Sequence, residues 1–331
     1  MIRFIVQRFL GMLVTMFFVS VMVFIIMELP PGDYAERYAF RKFSGTGVTV
    51  TEADVNNIRV KLGLDRPAYE RYFSWIWGII TKGDFGPAFA FETSVNNVIG
   101  QRLWLTLAIL FSTLIVTYLV SIPIGIYAAV HRHSVADYSL TVLSYLGLAL
   151  PNFLLALILL YISVTVLDSS VGGLFSQEFE GAPWSWSKFV DLLKHLIVPA
   201  VVLAWSATAF QLQTVRATML DELNKLSVTA ARARGIPEWK VLLKYPARLA
   251  INPVVSTVSF DANRIFSELP IVALVLGLPE LGELLIKSYI DLDMFVAGAI
   301  LLMLTFMIVF MNFLSDIALA FLDPRIKLEG G

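Results

Sequence analysis

Long apolar runs dominate the pattern of hydrophobic and polar positions along this chain. Several runs reach about 20 residues, which is enough to cross the roughly 30 Å hydrocarbon core of a bilayer. They predict six membrane-spanning helices at 9–29, 103–130, 139–167, 196–213, 253–278 and 294–321. The first run follows Arg3 and Arg8, but it is long and no small-residue cleavage site follows it. We therefore expect a retained anchor rather than a removable signal peptide.

Composition supports a membrane protein and narrows its chemistry. Of the 331 residues, 57% are hydrophobic and only 15% are charged, whereas soluble domains carry about 25% charged residues. The net charge of −1 gives no whole-molecule electrostatic case for nucleic acid as a partner. The absence of cysteine excludes disulfides and thiolate metal ligands, and three histidines leave little material for a metal centre. We expect no metal site, no catalytic residues and no cofactor within this chain.

Lys and Arg counts in the short loops predict the orientation. With the N-terminus in the cytoplasm, the cytoplasmic pieces 1–8, 131–138, 214–252 and 322–331 carry twelve basic residues. The short outer loops carry only Lys188, Lys194 and Lys287. Both termini are therefore expected in the cytoplasm. The predicted divisions are a tail with the first span (1–29), a periplasmic insertion (30–102), a five-helix core (103–321) with a cytoplasmic loop (214–252), and a cytoplasmic tail (322–331).

The insertion is predicted to be a small helical domain. Thr51 and Asp54 form a capping-box pattern that opens a helix ended by Gly63, and Pro67 starts a second helix. Apolar residues recur along this second helix at helical spacing, and they are Tyr69, Tyr72, Phe73, Ile76 and Ile80. This face could pack on the outer ends of the spans, or it could dock a substrate-delivery protein. The two interpretations do not exclude each other.

The basic loop 214–252 is the most informative segment. Its apolar positions keep a helical period up to Gly235, which suits a left-handed helix end, and Pro237 can start a new helix that carries Trp239. The loop thus predicts two short amphipathic helices that meet at a glycine elbow. The small residues Ala230, Ala231 and Ala233 would allow another surface to approach closely. Basic residues surround them, namely Arg232, Arg234, Lys240, Lys244 and Arg248.

Physical chemistry alone leaves three interpretations of this basic loop open. It could hold anionic lipid headgroups, or it could be an ordinary positive-inside topology signal. It could also fit into a groove on a cytoplasmic motor protein.

A resemblance to a known family favours the motor protein. The segment from Ala230 to Ile236 resembles the coupling loop of permease subunits in bacterial ABC importers, and most closely that of dipeptide and oligopeptide permeases. Further motifs resemble that family in its own order, at 29–33, 62–67, 83–86, 150–153, 195–199, 278–282 and 322–326. The long outer segment resembles the first of the two permease subunits that such systems use.

The resemblance implies a fold and a set of partners. The fold would be that of a type I ABC importer permease, all-α with six transmembrane helices and a small helical periplasmic insertion after the first. The chain would form a heterodimer with a second homologous permease in the bacterial inner membrane. Two cytoplasmic ATPases would bind ATP and Mg²⁺ and contact the coupling loop, and a periplasmic solute-binding protein would deliver the solute.

The chain shows no phosphate-binding loop of its own. No Gly is followed directly by Lys, so the Gly-x-x-x-x-Gly-Lys-Ser/Thr motif is absent. We therefore expect a non-catalytic transport subunit that takes peptides or peptide-like solutes. An oligosaccharide or opine-like cargo is the alternative within the same machinery. An ATP-independent secondary transporter or channel, or a structural scaffold, is the alternative from another class.

Three charged residues interrupt the fifth predicted span. Asp261, Arg264 and Glu268 are spaced by three and four residues, so they project from one side of a helix. Ionisable groups inside a membrane are costly unless they are paired or hydrated. They either form a self-satisfied charge cluster that holds helices together or line an aqueous translocation path.

Overall fold

The computed structural model describes residues 2–29, 34–43, 50–61, 63–166, 172–179 and 181–322. Within these ranges the fold is helical except for a short 3₁₀ turn and one pair of two-residue strands, as the sequence predicts for an all-α membrane protein. Residues 30–33 of the first outer motif and residues 323–331 of the predicted tail lie outside the described residues.

The helices follow one another along the whole described chain. They are α1 (Ile2–Glu28), α2 (Tyr34–Phe43), α3 (Glu52–Lys61), α4 (Ala68–Lys82), α5 (Val95–Val130), α6 (Val135–Ala149), α7 (Asn152–Val166), α8 (Trp186–Leu223), α9 (Leu226–Ala233), α10 (Glu238–Lys244), α11 (Pro246–Ser256), α12 (Val258–Leu276), α13 (Leu281–Ile290) and α14 (Met294–Leu322). The antiparallel strands β1 (Pro87–Ala88) and β2 (Thr93–Ser94) pair between α4 and α5.

The helices long and apolar enough to cross a membrane agree with four of the predicted spans. In the described part of the chain these are α1, α5, α8 and α14. Two bent pairs, α6 with α7 and α12 with α13, also pass the same test of length and composition, which gives up to six spans. Helix α8 extends ten residues beyond the predicted run 196–213 at each end, and Ser185 caps its N-terminus by accepting a hydrogen bond from the Lys188 amide at 3.2 Å.

The third predicted span, 139–167, is bent at Pro151, a proline inside an apolar run where a kink is expected. Helix α6 ends at Ala149, α7 begins at Asn152, and the two are bent by 102°. Pro151 disfavours helical geometry in the residue before it, and Leu150 is indeed extended at φ −88° and ψ 121°. The apolar run is continuous in sequence, but the backbone is broken at the proline.

The fifth predicted span, 253–278, is also divided. Its first residues belong to α11, which ends before Thr257, and the remainder forms α12. A 79° bend at Gly277 then leads to α13. The Glu280 carboxylate stabilises the start of α13 by accepting hydrogen bonds from the amides of Gly282 and Glu283 at 2.6 and 2.7 Å.

The chain forms two compact units, and the first comprises Met1–Met12, Leu103–Glu283 and Met307–Gly331. Helix α8 packs against α6, α7, α11 and α12 in this unit. A Cβ atom on Gly125 would lie 2.9 Å from the Leu212 carbonyl oxygen, so α5 approaches α8 closely because this residue has no side chain. Arg216 of α8 forms a bidentate ion pair with Asp137 of α6, in which Nε donates to Oδ1 at 2.6 Å and Nη2 donates to Oδ2 at 2.8 Å.

The second unit comprises Leu13–Arg102 and Leu284–Phe306. Its core joins α1, α4 and α14 through buried residues that pack together, namely Val23, Met27, Trp75, Met294 and Leu302. The strand pair is tied to the start of α14, because the Ala90 amide donates to the Asp293 carboxylate at 2.7 Å across 203 residues of sequence. The unit therefore combines segments that are far apart along the chain.

The predicted capping box is confirmed. Of the five residues predicted to form the apolar face of α4, two pack inward and three are exposed. The Asp54 amide donates to Thr51 Oγ1 at 3.3 Å, and the Thr51 amide donates to Asp54 Oδ2 at 3.1 Å. Tyr72 and Ile76 pack inward, but the other three predicted residues, Tyr69, Phe73 and Ile80, are exposed.

Candidate functional site

The basic loop 214–252 contains the predicted pair of short helices, α9 and α10, between the end of α8 and the start of α11. Helices α9 and α10 are separated by four residues, and Gly235 between them has a φ of +69°. This left-handed conformation is readily available to glycine and strained for most other residues. The Gly235 amide donates to the Arg232 carbonyl at 2.9 Å, which closes the end of α9. The glycine elbow is therefore a defined turn.

The elbow has a small apolar core of its own. Val228 and Ala231 of α9 and Val241 of α10 are buried together, and Ile236 and Tyr245 pack against them. Ala231, predicted from the sequence as part of a surface that another protein approaches, instead faces this core. This core packs α9 against α10 across the turn.

The other predicted residues lie on the outside of the elbow. Ala230, Ala233 and Arg234 of the α9 end are exposed, as are Pro237 and Trp239 at the start of α10. Leu226 and Leu243 add further exposed apolar surface. A mixed apolar and basic surface of this kind suits contact with a protein partner.

Arg232 was expected to be a cationic group available to a partner protein, but it is paired within the elbow. Its guanidinium bridges the elbow to Glu238, with Nη2 2.6 Å from Oε1. The hydrogen bond to this arginine holds the pKa of the Glu238 carboxyl below its usual value, and the same bond raises the pKa of Arg232. Arg232 thus braces the elbow internally, whereas Arg234 extends from it.

A polar cluster surrounds Asp261 inside the first unit. Asp261 is fully buried, and its Oδ2 accepts hydrogen bonds from the Tyr118 hydroxyl of α5 at 2.8 Å and from the Gln211 amide of α8. The same Gln211 amide donates to Thr257 Oγ1 at 2.8 Å. Arg264 lies close, with Nη2 3.7 Å from Asp261 Oδ1. Asp261 therefore joins α5, α8 and α12.

Glu268 belongs to a neighbouring contact. Its carboxylate accepts a hydrogen bond from the Asn152 amide at the start of α7, and Asn152 also donates to the Leu203 carbonyl at 3.3 Å. Arg264 and Glu268 are both partly exposed, unlike Asp261. The three charges are thus near one another as predicted, but only two of them reach a surface of this chain.

Sequence reasoning missed the polar partners of these charges. Tyr118, Gln211 and Asn152 lie in separate helices, and each is a polar residue inside an otherwise apolar run. That interruption is the one signal that could have identified them. Among the described residues, no group of three or more His, Asp or Glu comes together in a way that could hold a metal ion.

Comparison with known proteins gives matches along nearly the whole chain. Residues 121–328 match the family of binding-protein-dependent transport system inner membrane components, and residues 1–110 match the N-terminal region of such components. A putative peptide permease protein of Brucella ovis is 32% identical over 99% of this chain and 100% of its own length.

Two further relatives show the same extent of similarity. The oligopeptide transport system permease protein AppB of Bacillus subtilis is 32% identical over 99% of this chain and 100% of its own length. The glutathione transport system permease protein GsiC of Escherichia coli is 28% identical, again over 99% of this chain and 100% of its own. Together with the apolar helices, these matches show that the chain is a multi-pass inner-membrane permease subunit and belongs to the family of binding-protein-dependent transport system inner membrane components.

Proposed function

We propose that this chain is one of two homologous permease subunits of an ABC importer for peptides or peptide-like solutes. Two cytoplasmic ATPases that bind ATP and Mg²⁺ supply the energy, and a periplasmic binding protein delivers the solute. This chain forms part of the translocation path and carries out no chemistry itself.

The glycine elbow is the observation that supports this proposal most strongly. A rigid pair of short helices, with its own core and an exposed face, follows directly after the long helix α8. A partner that grips the exposed face would displace α8, and α8 packs against several other helices of its unit. The elbow is thus suited to convert closure of an ATPase into rigid-body movement of helices.

The excess of Lys and Arg in 1–8, 131–138, 214–252 and 322–331 supports the proposed orientation, with both termini and the elbow in the cytoplasm. Segment 30–102 is then the periplasmic insertion, and 103–321 is the permease core. The exposed residues of the elbow contact the ATPase, with Arg234 as a cationic donor.

The proposed cargo is supported by the names of the relatives and by two charges. The relatives described above are named as peptide, oligopeptide and glutathione permeases. Arg264 and Glu268 lie about one turn apart on α12, and both are partly exposed. An adjacent cation and anion complement the carboxylate and the ammonium group of a zwitterionic peptide. Asp261 then holds Arg264 in place from behind.

Uptake into proteoliposomes tests this function. The complete complex of both permeases and both ATPases is reconstituted with its binding protein outside and ATP inside. We expect accumulation of a labelled oligopeptide that requires ATP and the binding protein. Accumulation by this chain alone, driven by an ion gradient, would establish a secondary transporter. Uptake of an oligosaccharide or an opine instead of peptides would overturn the cargo and leave the ATP-driven mechanism in place.

The two arginines of the elbow are expected to differ in their effects on uptake. Arg232→Ala and Glu238→Gln should reduce uptake equally and modestly, because each breaks the same exposed ion pair. Arg234→Ala should reduce uptake further, since this side chain is free to contact the ATPase. ATP-dependent uptake by the three variants, compared at equal membrane content, checks the order. A loss for Arg232→Ala that exceeds the loss for Glu238→Gln would assign Arg232 a direct contact with the ATPase.

A further inference from the structure

A groove runs between the second half of α1 and the start of α4. Its volume is about 390 Å³, within the roughly 300–1,000 Å³ typical of small-molecule sites. The wall is almost entirely apolar and is formed by Val21, Phe24, Ile25, Leu29, Ala68, Tyr69 and Tyr72, with Glu28 as its charged member. From Val21 to Leu29 the groove follows α1 for about 12 Å, which is less than half of the roughly 30 Å hydrocarbon core.

Helix α4 lies beside the membrane span, not beyond its end. The hydroxyls of Tyr72 and Ser20 share a 2.8 Å hydrogen bond, and Ser20 is eight residues before the end of α1. Trp75 packs against Val23 and Met27 of the same helix. Helix α1 is one of the helices long and apolar enough to cross the bilayer, and the groove follows the last part of it, so the groove lies at one end of this span.

The exposed side of α4 has the composition of a helix that contacts lipid. Tyr69, Phe73, Trp77 and Ile80 recur at spacings of three and four residues, and each is between 63% and 73% exposed. Tyr and Trp are enriched where a protein meets the membrane interface. Tyr69 belongs both to this stripe and to the groove wall. An acyl chain can therefore enter the groove sideways from the bilayer.

Two opposite charges are fixed at the end of the groove. Arg71 Nη1 and Nη2 donate to Glu28 Oε1 and Oε2, both at 2.8 Å. This pair leaves guanidinium N–H groups and carboxylate lone pairs for further partners. A phosphate would bind beside Arg71, and an ammonium group would bind beside Glu28. A headgroup that has a phosphate but no ammonium group would contact Arg71 but would not form an ion pair with Glu28.

We propose that this groove binds one acyl chain of a phosphatidylethanolamine molecule, with its phosphate at Arg71 and its amine at Glu28. The site goes beyond the transport function and does not depend on the cargo. If the orientation proposed above holds, the lipid belongs to the outer leaflet. Bound there, it fills the space between α4 and the span and holds the insertion against the bilayer.

Native mass spectrometry of the delipidated, complete transporter tests this site. The probes are phosphatidylethanolamine and phosphatidylglycerol with identical acyl chains. We expect tighter binding of phosphatidylethanolamine, and a loss of about tenfold in its affinity for Val21→Phe, whose ring occupies the groove. Val14→Phe is the matched control, because Val14 is exposed on α1 and is absent from the groove wall. This control should bind like the unmodified protein.

The headgroup contacts are tested by a double exchange, Glu28→Arg with Arg71→Glu. This variant keeps an ion pair between α1 and α4, so the fold is retained, but it reverses the two charges. We expect it to lose the preference for phosphatidylethanolamine over phosphatidylglycerol. Equal affinities for Val21→Phe and Val14→Phe would overturn the site. So would photocrosslinking from position 73 that labels a partner subunit instead of lipid in the membrane-embedded complex.

Discussion

Replacing Gly235 with valine is expected to abolish ATP-driven uptake while the chain still inserts into the membrane. The φ of +69° at this position is strained for a residue with a Cβ atom, by about 1–2 kcal/mol in general and more for a β-branched residue. A Cβ atom would meet nothing within 4 Å, so the expected effect comes from the backbone and not from a clash. The elbow would open to another angle, and its exposed face would no longer fit the ATPase. Co-purification of the ATPases and uptake measure the loss.

The matched control for this experiment is Gly235→Asn. Asparagine enters the left-handed region more readily than other residues that have a side chain. It adds a polar group to the same exposed position but preserves the turn, so uptake should remain close to that of the unmodified protein. If the asparagine variant lost as much uptake as the valine variant, the left-handed turn would not be the property that coupling requires.

Removing the positive charge from Arg216 is expected to have the largest effect on stability. Asp137 is only 1% exposed, and its two oxygens are bound by Arg216. Arg216→Gln leaves the buried carboxylate without its charge partner, which typically costs about 3–5 kcal/mol. Since the arginine side chain is 22% exposed, water relieves part of this penalty, and we expect about 3 kcal/mol. The midpoint of heat-induced aggregation of the detergent-solubilised complex measures it.

Two comparisons make the stability result specific. Arg8 and Asp316 form a more exposed ion pair at 3.3 Å, so Arg8→Gln should have little effect. The double variant Asp137→Asn with Arg216→Gln removes both charges and should recover much of the lost stability. A decrease for Arg8→Gln as large as that for Arg216→Gln would contradict the role of burial.

Periodicity and local chemistry predicted those parts of the fold that depend on neighbours in sequence. The capping box at Thr51, the left-handed turn at Gly235 and the long apolar helices all follow from residues a few positions apart. The break at Pro151 lay in the sequence too, but an apolar run gives no measure of a bend angle. Hydropathy counts residues without regard to the backbone, so it gives the extent of the apolar run but not the 102° angle between α6 and α7.

The polar contacts between helices could not be predicted in the same way. Asp261 meets Tyr118 and Gln211 only because α5, α8 and α12 pack together, and these residues are separated by 143 and 50 positions. Arg232 looked like a donor for a partner because its acceptor, Glu238, is on the other side of the turn. The apolar residues of α4 divide between core and surface according to how α1 crosses that helix, which no local pattern encodes.

The bond from the Ala90 amide to Asp293 has a consequence for how the protein is made. Ala90 is synthesised about 200 residues before Asp293, which accepts its hydrogen bond. Trp75 likewise precedes Met294, which packs in the same cluster, by about 200 residues. These contacts can therefore form only after the start of the final helix α14 has been synthesised. Packing of this unit is therefore completed late in synthesis, which favours slow folding because its contacts are far apart in sequence.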